Sequence, residues 1–295
     1  MAKPFLKWVG GKGALLPVYE PYLPKGKIPY YAEPFVGGGA VFFHLHDRIT
    51  EMAILGDVNH HLMNAYRQVR DNLDPIVQVL AGWQGLYHDA NESQRDEMYY
   101  STRRRDRHEG WDWKTGYAAA RFIFLNKTGY NGLWRVNRAG QCNTSHGKYK
   151  NPRICDGVAL ADAHDALFRV LLWHLDFRQT VGRILTMGRV WGTRFFVYLD
   201  PPYVPVDETS FTSYTAGGFD RMDNGQLIAA LADLDNGGHR FMCSNSPPFE
   251  GMIEEWKGGV SYHNWDIKRV KARRNVNSNP DGRDEVTEIL VRNYD

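Results

Sequence analysis

Apolar and polar positions alternate in short runs toward both ends of the chain and recur at helical spacing in its middle. Near the N-terminus "YYAEPF" (30–35) is a short β-type run, and "VGGGA" (36–40) must turn sharply. "AVFFHLHDR" (40–48) has a helical pattern, and "MAILGDVN" (52–59) is a second strand that carries Asp57 near its end. This strand–turn–helix–strand order predicts an open α/β sheet. From about residue 60 to 160 the character changes, and "HHLMNAYRQVRDNL" and "YAAARFIFLN" predict helices. "KTGYNGLWRVNRAGQCNTSHGKYKNP" (127–152) is rich in Gly, Asn, Lys and aromatics without a period, which predicts a structured loop or hairpin. A helix at "DAHDALFRVLL" (162–172) then leads back to strands at "RFFVYLD", "HRFMCSN" and a final pair around "VKARRNV" and "EVTEILVRN". The pattern predicts one α/β domain interrupted by a mainly helical insertion, with no internal repeat.

Composition changes this picture little. The 295 residues, 43% apolar and 24% charged, are those of an ordinary globular chain. No apolar run is long enough to span a bilayer, and "MAKPFLKWVGGKG" lacks a secretory apolar core, so a cytoplasmic protein is expected. Cys142, Cys155 and Cys243 are odd in number and widely spaced, so neither a metal set nor a disulfide framework is expected. The net charge of +2 hides local asymmetry: "KRVKARR" (268–274) holds five basic residues and no acid, and "RRRDRH" (103–108) is nearly as dense. Such clusters suit either a polyanion or a solvated charged face.

Three motifs carry chemistry. "EPFVGGGA" follows a strand and opens a helix, with Asp57 lying 18 residues beyond Gly39. Glycines let a ligand approach the backbone, and the acid can bind ribose hydroxyls, although the spacing is not G-x-G-x-x-G. A structural turn is the alternative. "FLKWVGGKG" (5–13) places a Trp, a glycine pair and Lys12 together, as a loop closing over a nucleoside would. "FFVYLDPPYVP" (195–205) ends an apolar strand with Asp200, two prolines and Tyr203. The C-terminal end of a strand is where open α/β sheets place ligand contacts. Pro201 lacks an amide donor, so neighbouring carbonyls stay available as acceptors, and Tyr203 offers a flat face. Two acceptors beside an aromatic ring suit a planar group bearing an exocyclic NH2.

"DPPY" together with "FLKWVGGK", "EPFVGGGAVF" and "NKTGYNGLWRVN" resembles the Dam-like DNA adenine-N6 methyltransferases, and "FTSYTAGGF" and "RRNVNSN" extend the resemblance from Phe5 to Val291. The motif order is similar to the alpha group of amino-methyltransferases. The resemblance implies a Rossmann-like methyltransferase sheet with an inserted, mainly helical target-recognition domain and a β-hairpin. Residues 1–60 and 160–295 would form the S-adenosylmethionine-binding catalytic domain, and 61–159 the DNA target-recognition domain. It further implies double-stranded DNA as partner, no metal, no membrane, a monomer in solution that can associate on DNA, and the cytoplasm of a bacterial or phage-infected cell. Restriction-modification, repair or replication marking and phage protection are the roles open to such an enzyme.

By the same resemblance Trp8, Lys12, Phe35, Gly37, Gly39, Asp57 and Asp200 serve the cofactor, and Asp200, Pro201, Pro202 and Tyr203 form the catalytic tetrapeptide. Hydrogen bonds from the adenine NH2 to Asp200 and a Pro201 carbonyl would favour a more tetrahedral nitrogen facing the methyl, which is catalysis by positioning and electrostatics. The base must first be flipped out of the duplex, and Tyr203 would stack on it. Tyr130 is the intercalating candidate, Asn131 lies near the orphan base, and Arg135 reads a guanine edge with its bidentate fork. Leu133 is a candidate for a thymine methyl, Lys7 for a flanking base and Tyr149 for the adjoining duplex. Where the family's loop typically continues "FNVPFGRYK", this chain reads "CNTSHGKYK" (142–150). Ser145 replaces a proline involved in reading the site, His146 replaces an aromatic, and Trp134 stands where a smaller residue is common. The expected target is GATC or a relaxed or related site.

Three competing readings remain at this point. RNA adenine or protein glutamine methyltransferases often carry N-P-P-Y, whereas Asp200 and the Arg135 loop favour DNA. A DNA-binding protein without activity has no need of the tetrapeptide. A dinucleotide-dependent oxidoreductase leaves the tetrapeptide unexplained.

Overall fold

In the computed structural model, described for residues 2–206, 219–257, 265–273 and 285–295, the predicted strand ends and helical middle are both present. The strands are β1 Ile28–Glu33, β2 Ile49–Asp57, β3 Val170–His174, β4 Phe195–Leu199, β5 Arg240–Asn245, β6 Asp266–Arg273 and β7 Glu285–Arg292. The helices are α1 Leu16–Tyr19, α2 Ala40–Leu45, α3 His60–Asp71, α4 Leu73–Asp89, α5 Glu92–Arg104, α6 Gly116–Thr128, α7 Gly157–Leu167, α8 Phe177–Trp191, α9 Arg221–Asn236 and α10 Pro248–Lys257. Short 3-10 turns lie between several of them. The sheet runs β3-β2-β1-β4-β5-β7-β6. β1 pairs in parallel with β2 and β4, and β4 with β5, while β7 is antiparallel to both β5 and β6. The strand order reverses direction between β1 and β4, and the crevice at the carboxyl ends of such strands is where doubly wound sheets bind ligands.

The chain divides into two compact units. The second comprises Lys12–Val36, Leu45–Val58 and Trp173–Asp295. Its core is built by strands buried on both faces, as parallel sheets require. All five residues of β4 are buried, and Ala32, Ile54, Val197, Leu199, Phe241 and Val291 join Phe177, Val181, Leu227 and Leu231 in one apolar cluster. Asp176 opens α8 by accepting from the Arg178 amide at 2.9 Å, and Gly192 closes it at φ 64°.

The first unit comprises Met1–Gly11, Gly37–His44 and Asn59–Leu172. α6 is buried on nearly every side, from Ala118 through Asn126 and at Thr128, which marks it as the unit's central helix. Ala118, Ala119 and Ala120 let neighbours approach, and Phe122 and Phe124 fill the space beyond them. Asn59 caps α3 by accepting from the amides of His61 and Leu62 at 3.1 and 3.2 Å. Asn91 and Gln94 form a reciprocal capping box on α5.

The structure departs from the sequence expectation in several places. The helix expected through "FRVLL" stops at Leu167, and Val170–His174 is a strand; a β-branched residue and alternate burial suit the sheet better. The structured loop or hairpin expected over 127–152 is a loop held by two isolated antiparallel bridges, Gly129↔His146 and Val136↔Cys142. Trp134 is 7% exposed, packed on Phe122 with ring centroids 4.4 Å apart and on His61 at 5.1 Å. Burial pushes the His61 imidazole down to about 3, so it packs there uncharged.

The basic cluster 103–108 is only partly a charged face. Arg103 donates to the Thr144 carbonyl at 2.8 Å and Arg107 to the Cys142 carbonyl at 3.2 Å, so both hold the loop from within the unit. Arg104 and Arg105 remain exposed. In the second cluster, Lys268 pairs with Asp266 at 2.8 Å and Arg269 with Glu250 at 2.5 Å; Arg274 lies outside the described residues.

Candidate active site

Asp200 directly follows β4, and its environment is assembled from four separate stretches of the second unit. The Lys12 ammonium lies 2.8 Å from Asp200 Oδ1, and the Ser244 hydroxyl donates to the same oxygen at 2.8 Å. Oδ2 has no partner among the described residues. Lys12 Nζ also sits 4.7 Å from the centroid of the Tyr203 ring, a cation–π arrangement. The far end of that ring is fixed as well: the Tyr203 hydroxyl donates to Glu288 Oε2 at 2.9 Å, and the Tyr19 hydroxyl donates to the same oxygen at 2.6 Å. Asn245 Oδ1 accepts from the Val204 amide at 3.0 Å, and Ser246 Oγ donates to the Val204 carbonyl at 2.5 Å. The Asp-Pro-Pro-Tyr turn is therefore tied at its acid, at its aromatic ring and at the backbone just beyond. Pro201 is buried and Pro202 half-buried.

Sequence reasoning missed Tyr19, Ser244 and Glu288. Glu288 left a trace, because an acid interrupts the otherwise apolar "VTEILV"; Ser244 between buried Cys243 and Asn245 left less.

Removal from water holds the Asp200 carboxyl above the usual carboxylate range, and the Lys12 charge followed by the Ser244 hydrogen bond pulls it partly back. Protonation puts a donor on the carboxyl and weakens it as an acceptor, so the ionised form is the one suited to hold an amine. If Asp200 holds the amine, activity is expected to fall as pH drops through a value above that of an ordinary aspartate. Lys12→Met removes the largest lowering influence and is expected to move the acid limb of the kcat/KM profile to higher pH. An unmoved limb, or one shifted to lower pH, would contradict this coupling.

At the end of β1, Phe35 stacks on Phe177 with centroids 5.1 Å apart and planes at 27°, and meets Phe219 edge-on at 6.1 Å. Asp57 is half-buried at the carboxyl end of β2.

The first unit holds the other predicted residues. Trp8 lies against the glycine turn: a Cβ on Gly37 would come within 2.7 Å of the Trp8 indole nitrogen. Gly39 is at φ +70°, and a Cβ there would lie 2.6 Å from the Tyr66 hydroxyl, which itself donates to the Gly37 carbonyl at 3.1 Å. The turn thus requires glycine both for backbone shape and for close approach.

Lys7, Asn131 and Tyr149 come together. Lys7 Nζ sits 4.6 Å from the Tyr149 ring centroid, and the Asn131 amide donates to the Tyr149 hydroxyl at 3.0 Å. Asn131 adopts left-handed backbone at φ 52°. Tyr130 is 49% exposed. Arg135 is exposed and Leu133 half-buried. Thr144 Oγ1 accepts from the Arg135 amide at 3.1 Å and donates to the Leu133 carbonyl at 3.2 Å, so one buried threonine sets the backbone carrying both. Residues 211–218 of "FTSYTAGGF" and 274–279 of "RRNVNSN" lie outside the described residues. No cluster of potential metal ligands occurs among the described residues, and no helix among them is long and apolar enough to cross a membrane.

The model of the D12 class N6 adenine-specific DNA methyltransferase family matches residues 8–276, and the chain belongs to that family. It is 38% identical to the type II methyltransferase M.MjaIII of Methanocaldococcus jannaschii, over 99% of both chains. It is 35% identical to the type II methyltransferase M1.LlaDCHI of Lactococcus lactis, over 99% of this chain and 95% of that one. The DNA adenine methylase of Escherichia coli K12 is 30% identical over 97% of this chain and 94% of its own.

Proposed function

We propose that the chain transfers a methyl group from S-adenosylmethionine to N6 of an adenine flipped out of duplex DNA, within GATC or a closely related site. The observation that carries this reading is the asymmetric setting of Asp200. Its Oδ1 is occupied by Lys12 and Ser244, while Oδ2 stands without a partner among the described residues at the carboxyl end of β4.

The donor set suits the cofactor. Asp57, half-buried at the end of β2, fits ribose hydroxyls; Phe35 offers an aromatic surface; and the Asp200 carboxylate is a favourable neighbour for a cationic adenosyl sulfonium. Bound there, the cofactor supplies an activated methyl. The residues proposed for the cofactor are Lys12, Phe35, Asp57, Asp200, Trp8, Gly37 and Gly39.

The remaining chemistry is the chain's own. Asp200 Oδ2 accepts one N6 hydrogen and the Pro201 carbonyl the other, which turns the nitrogen lone pair toward the donor. Lys12 favours the ionised form of the acid against its burial. Tyr203, fixed by Glu288 at its hydroxyl and by Lys12 at its ring, stacks on the extruded base and offsets part of the unstacking cost of a few kcal/mol. No covalent intermediate is needed, and the buried Cys243 thiol, pushed far up by its apolar surroundings, is a packing residue.

Target recognition is assigned to the helical unit. Tyr130 fills the gap in the stack, Asn131 meets the orphan base, Arg135 reads a guanine, Leu133 a thymine methyl, and Lys7 and Tyr149 the flanking duplex. Arg135→Ala is expected to lower discrimination at one base pair by about 10- to 100-fold in kcat/KM, the worth of one bidentate contact. An equal loss on every sequence would mean that Arg135 touches phosphate instead. The reading as a whole is tested by treating unmethylated DNA with the purified protein and cofactor and sequencing for N6-methyladenine. Modification at one short adenine-containing site is the expected result, and transfer confined to RNA or protein overturns the reading.

A further inference from the structure

His146 stands where the family's loop carries an aromatic, and its surroundings give it a task that a phenyl ring cannot perform. The side chain is 1% exposed. Its Nδ1 lies 2.5 Å from Asp96 Oδ1, and its Nε2 lies 2.7 Å from the Tyr87 hydroxyl. The ring stacks on Tyr99, centroids 4.8 Å apart and planes at 18°. The Tyr87 hydroxyl lies 3.0 Å from the Tyr149 carbonyl as well. A continuous line therefore runs from Asp96 on α5, through His146 and Tyr87 on α4, to the backbone of Tyr149. Tyr149 in turn accepts from the Asn131 amide at 3.0 Å and carries Lys7 over its ring.

Hydrogen bookkeeping fixes the protons. A carbonyl can only accept, so the single Tyr87 hydrogen must go to the Tyr149 carbonyl when that bond is made. His146 Nε2 must then donate to the Tyr87 oxygen. Nδ1 faces a carboxylate and must donate too. Both ring nitrogens donate only in the imidazolium. With one proton fewer, Nε2 becomes an acceptor, the Tyr87 hydrogen turns to it, and the Tyr149 carbonyl loses its donor. The line has two arrangements that differ by one proton, and it ends at Asp96, whose side chain is 34% exposed.

We propose that His146 is a positioning residue that couples its protonation to DNA site discrimination, by setting whether Tyr87 holds the Tyr149 carbonyl. The inference rests on the reading that Tyr149 and Asn131 face the duplex. The backbone around His146 strengthens the link: the Tyr130 amide donates to the Ser145 carbonyl at 2.9 Å and the Gly147 amide to the Thr128 carbonyl at 2.8 Å, so movement of this stretch reaches Tyr130 directly. Arg95 donates to the Tyr87 and His88 carbonyls and lies over the Tyr87 ring at 5.4 Å. Lys148 is paired with Glu92 on the surface at 3.1 Å, and Arg103 is bound to the Thr144 carbonyl. The hydrogen bond from His146 holds the Asp96 carboxyl below the usual range, so Asp96 stays an acceptor.

The test compares kcat/KM on a preferred duplex with that on a duplex altered at one base pair, from about pH 5 to 8. The ratio cancels the titration of Asp200. In the wild type it should fall about tenfold as pH rises, the effect of losing one charge-assisted hydrogen bond. His146→Phe keeps the stack on Tyr99 and should give a flat, low ratio, and Tyr87→Phe the same. His146→Gln, which can still donate to Tyr87, should recover part of the discrimination without its pH dependence. The ring-nitrogen resonances of His146 in the DNA-free protein should show both nitrogens protonated at the acid end and one at the alkaline end. That measurement needs no substrate, so failure of the proton line and failure of the DNA reading are told apart. A wild-type ratio flat with pH, or a ring carrying a single proton throughout, overturns the proposal.

Discussion

Asp200→Asn is expected to lower the single-turnover rate of adenine methylation by about a thousandfold or more, the upper range for loss of one preorganised polar group, with DNA affinity largely retained. The substitution is nearly isosteric, so the effect has to come from hydrogen-bond polarity. Lys12 and the Ser244 hydroxyl both present hydrogens to Oδ1, at 2.8 Å each. An asparagine will turn its oxygen to them, because an ammonium cannot accept. Its NH2 then takes the place of Oδ2 and faces the substrate's NH2, donor against donor. Asn is therefore expected to be as inactive as Ala at this position. Tritiated-methyl transfer measured beside an equilibrium DNA-binding titration separates the two effects. A variant that methylates at the wild-type rate would show that Asp200 does not hold the amine.

Asp106→Ala is expected to destabilise the protein by about 3–5 kcal/mol, the cost of leaving a buried charge without its partner. Arg121 is wholly buried at the centre of α6, and its Nη2 meets Asp106 Oδ2 at 2.7 Å. The same oxygen accepts from the Cys142 amide at 3.0 Å, so Asp106 also anchors the recognition loop. The guanidinium keeps the Thr102 carbonyl at 2.9 Å and the Trp111 ring at 5.2 Å, neither of which neutralises it. Among the described residues Arg121 Nη1 and Asp106 Oδ1 are buried without hydrogen-bond partners, Oδ1 having only the Arg107 guanidinium 3.9 Å away, so the pair itself contributes little net stability. A melting point lower by on the order of 10 °C should follow. Adding Arg121→Met to Asp106→Ala should recover much of it, because the stranded charge is gone. If the double variant melts below the single one, the pair stabilises the unit in its own right.

The parts of the fold that were legible in the sequence are those whose signals are local. β4 and its Asp-Pro-Pro-Tyr turn follow from five buried apolar residues and a pair of prolines in one short stretch. The glycine turn is legible because Gly39 has both a positive φ and a neighbour too close for a side chain. What was not legible depends on distant partners. Tyr19 and Glu288 share a hydrogen bond across 269 positions, and no pattern near either one announces the other. "RRRDRH" reads as a uniform basic run, yet packing turns Arg103 and Arg107 onto loop carbonyls and leaves Arg104 and Arg105 outside. The helix α8 is absent from the sequence expectation although Asp176 and Gly192 mark both its ends. His146 was visible as a departure in the loop, but its meaning came only from Asp96, 50 positions away.

The most direct measurement is a crystal structure of the chain with a non-transferable cofactor analogue and a duplex containing the preferred site. The account predicts one adenine out of the stack, its N6 within hydrogen-bond distance of Asp200 Oδ2 and the Pro201 carbonyl, and Tyr203 against its face. A bound duplex with every adenine still stacked, and Asp200 engaged only with Lys12 and Ser244, would contradict it.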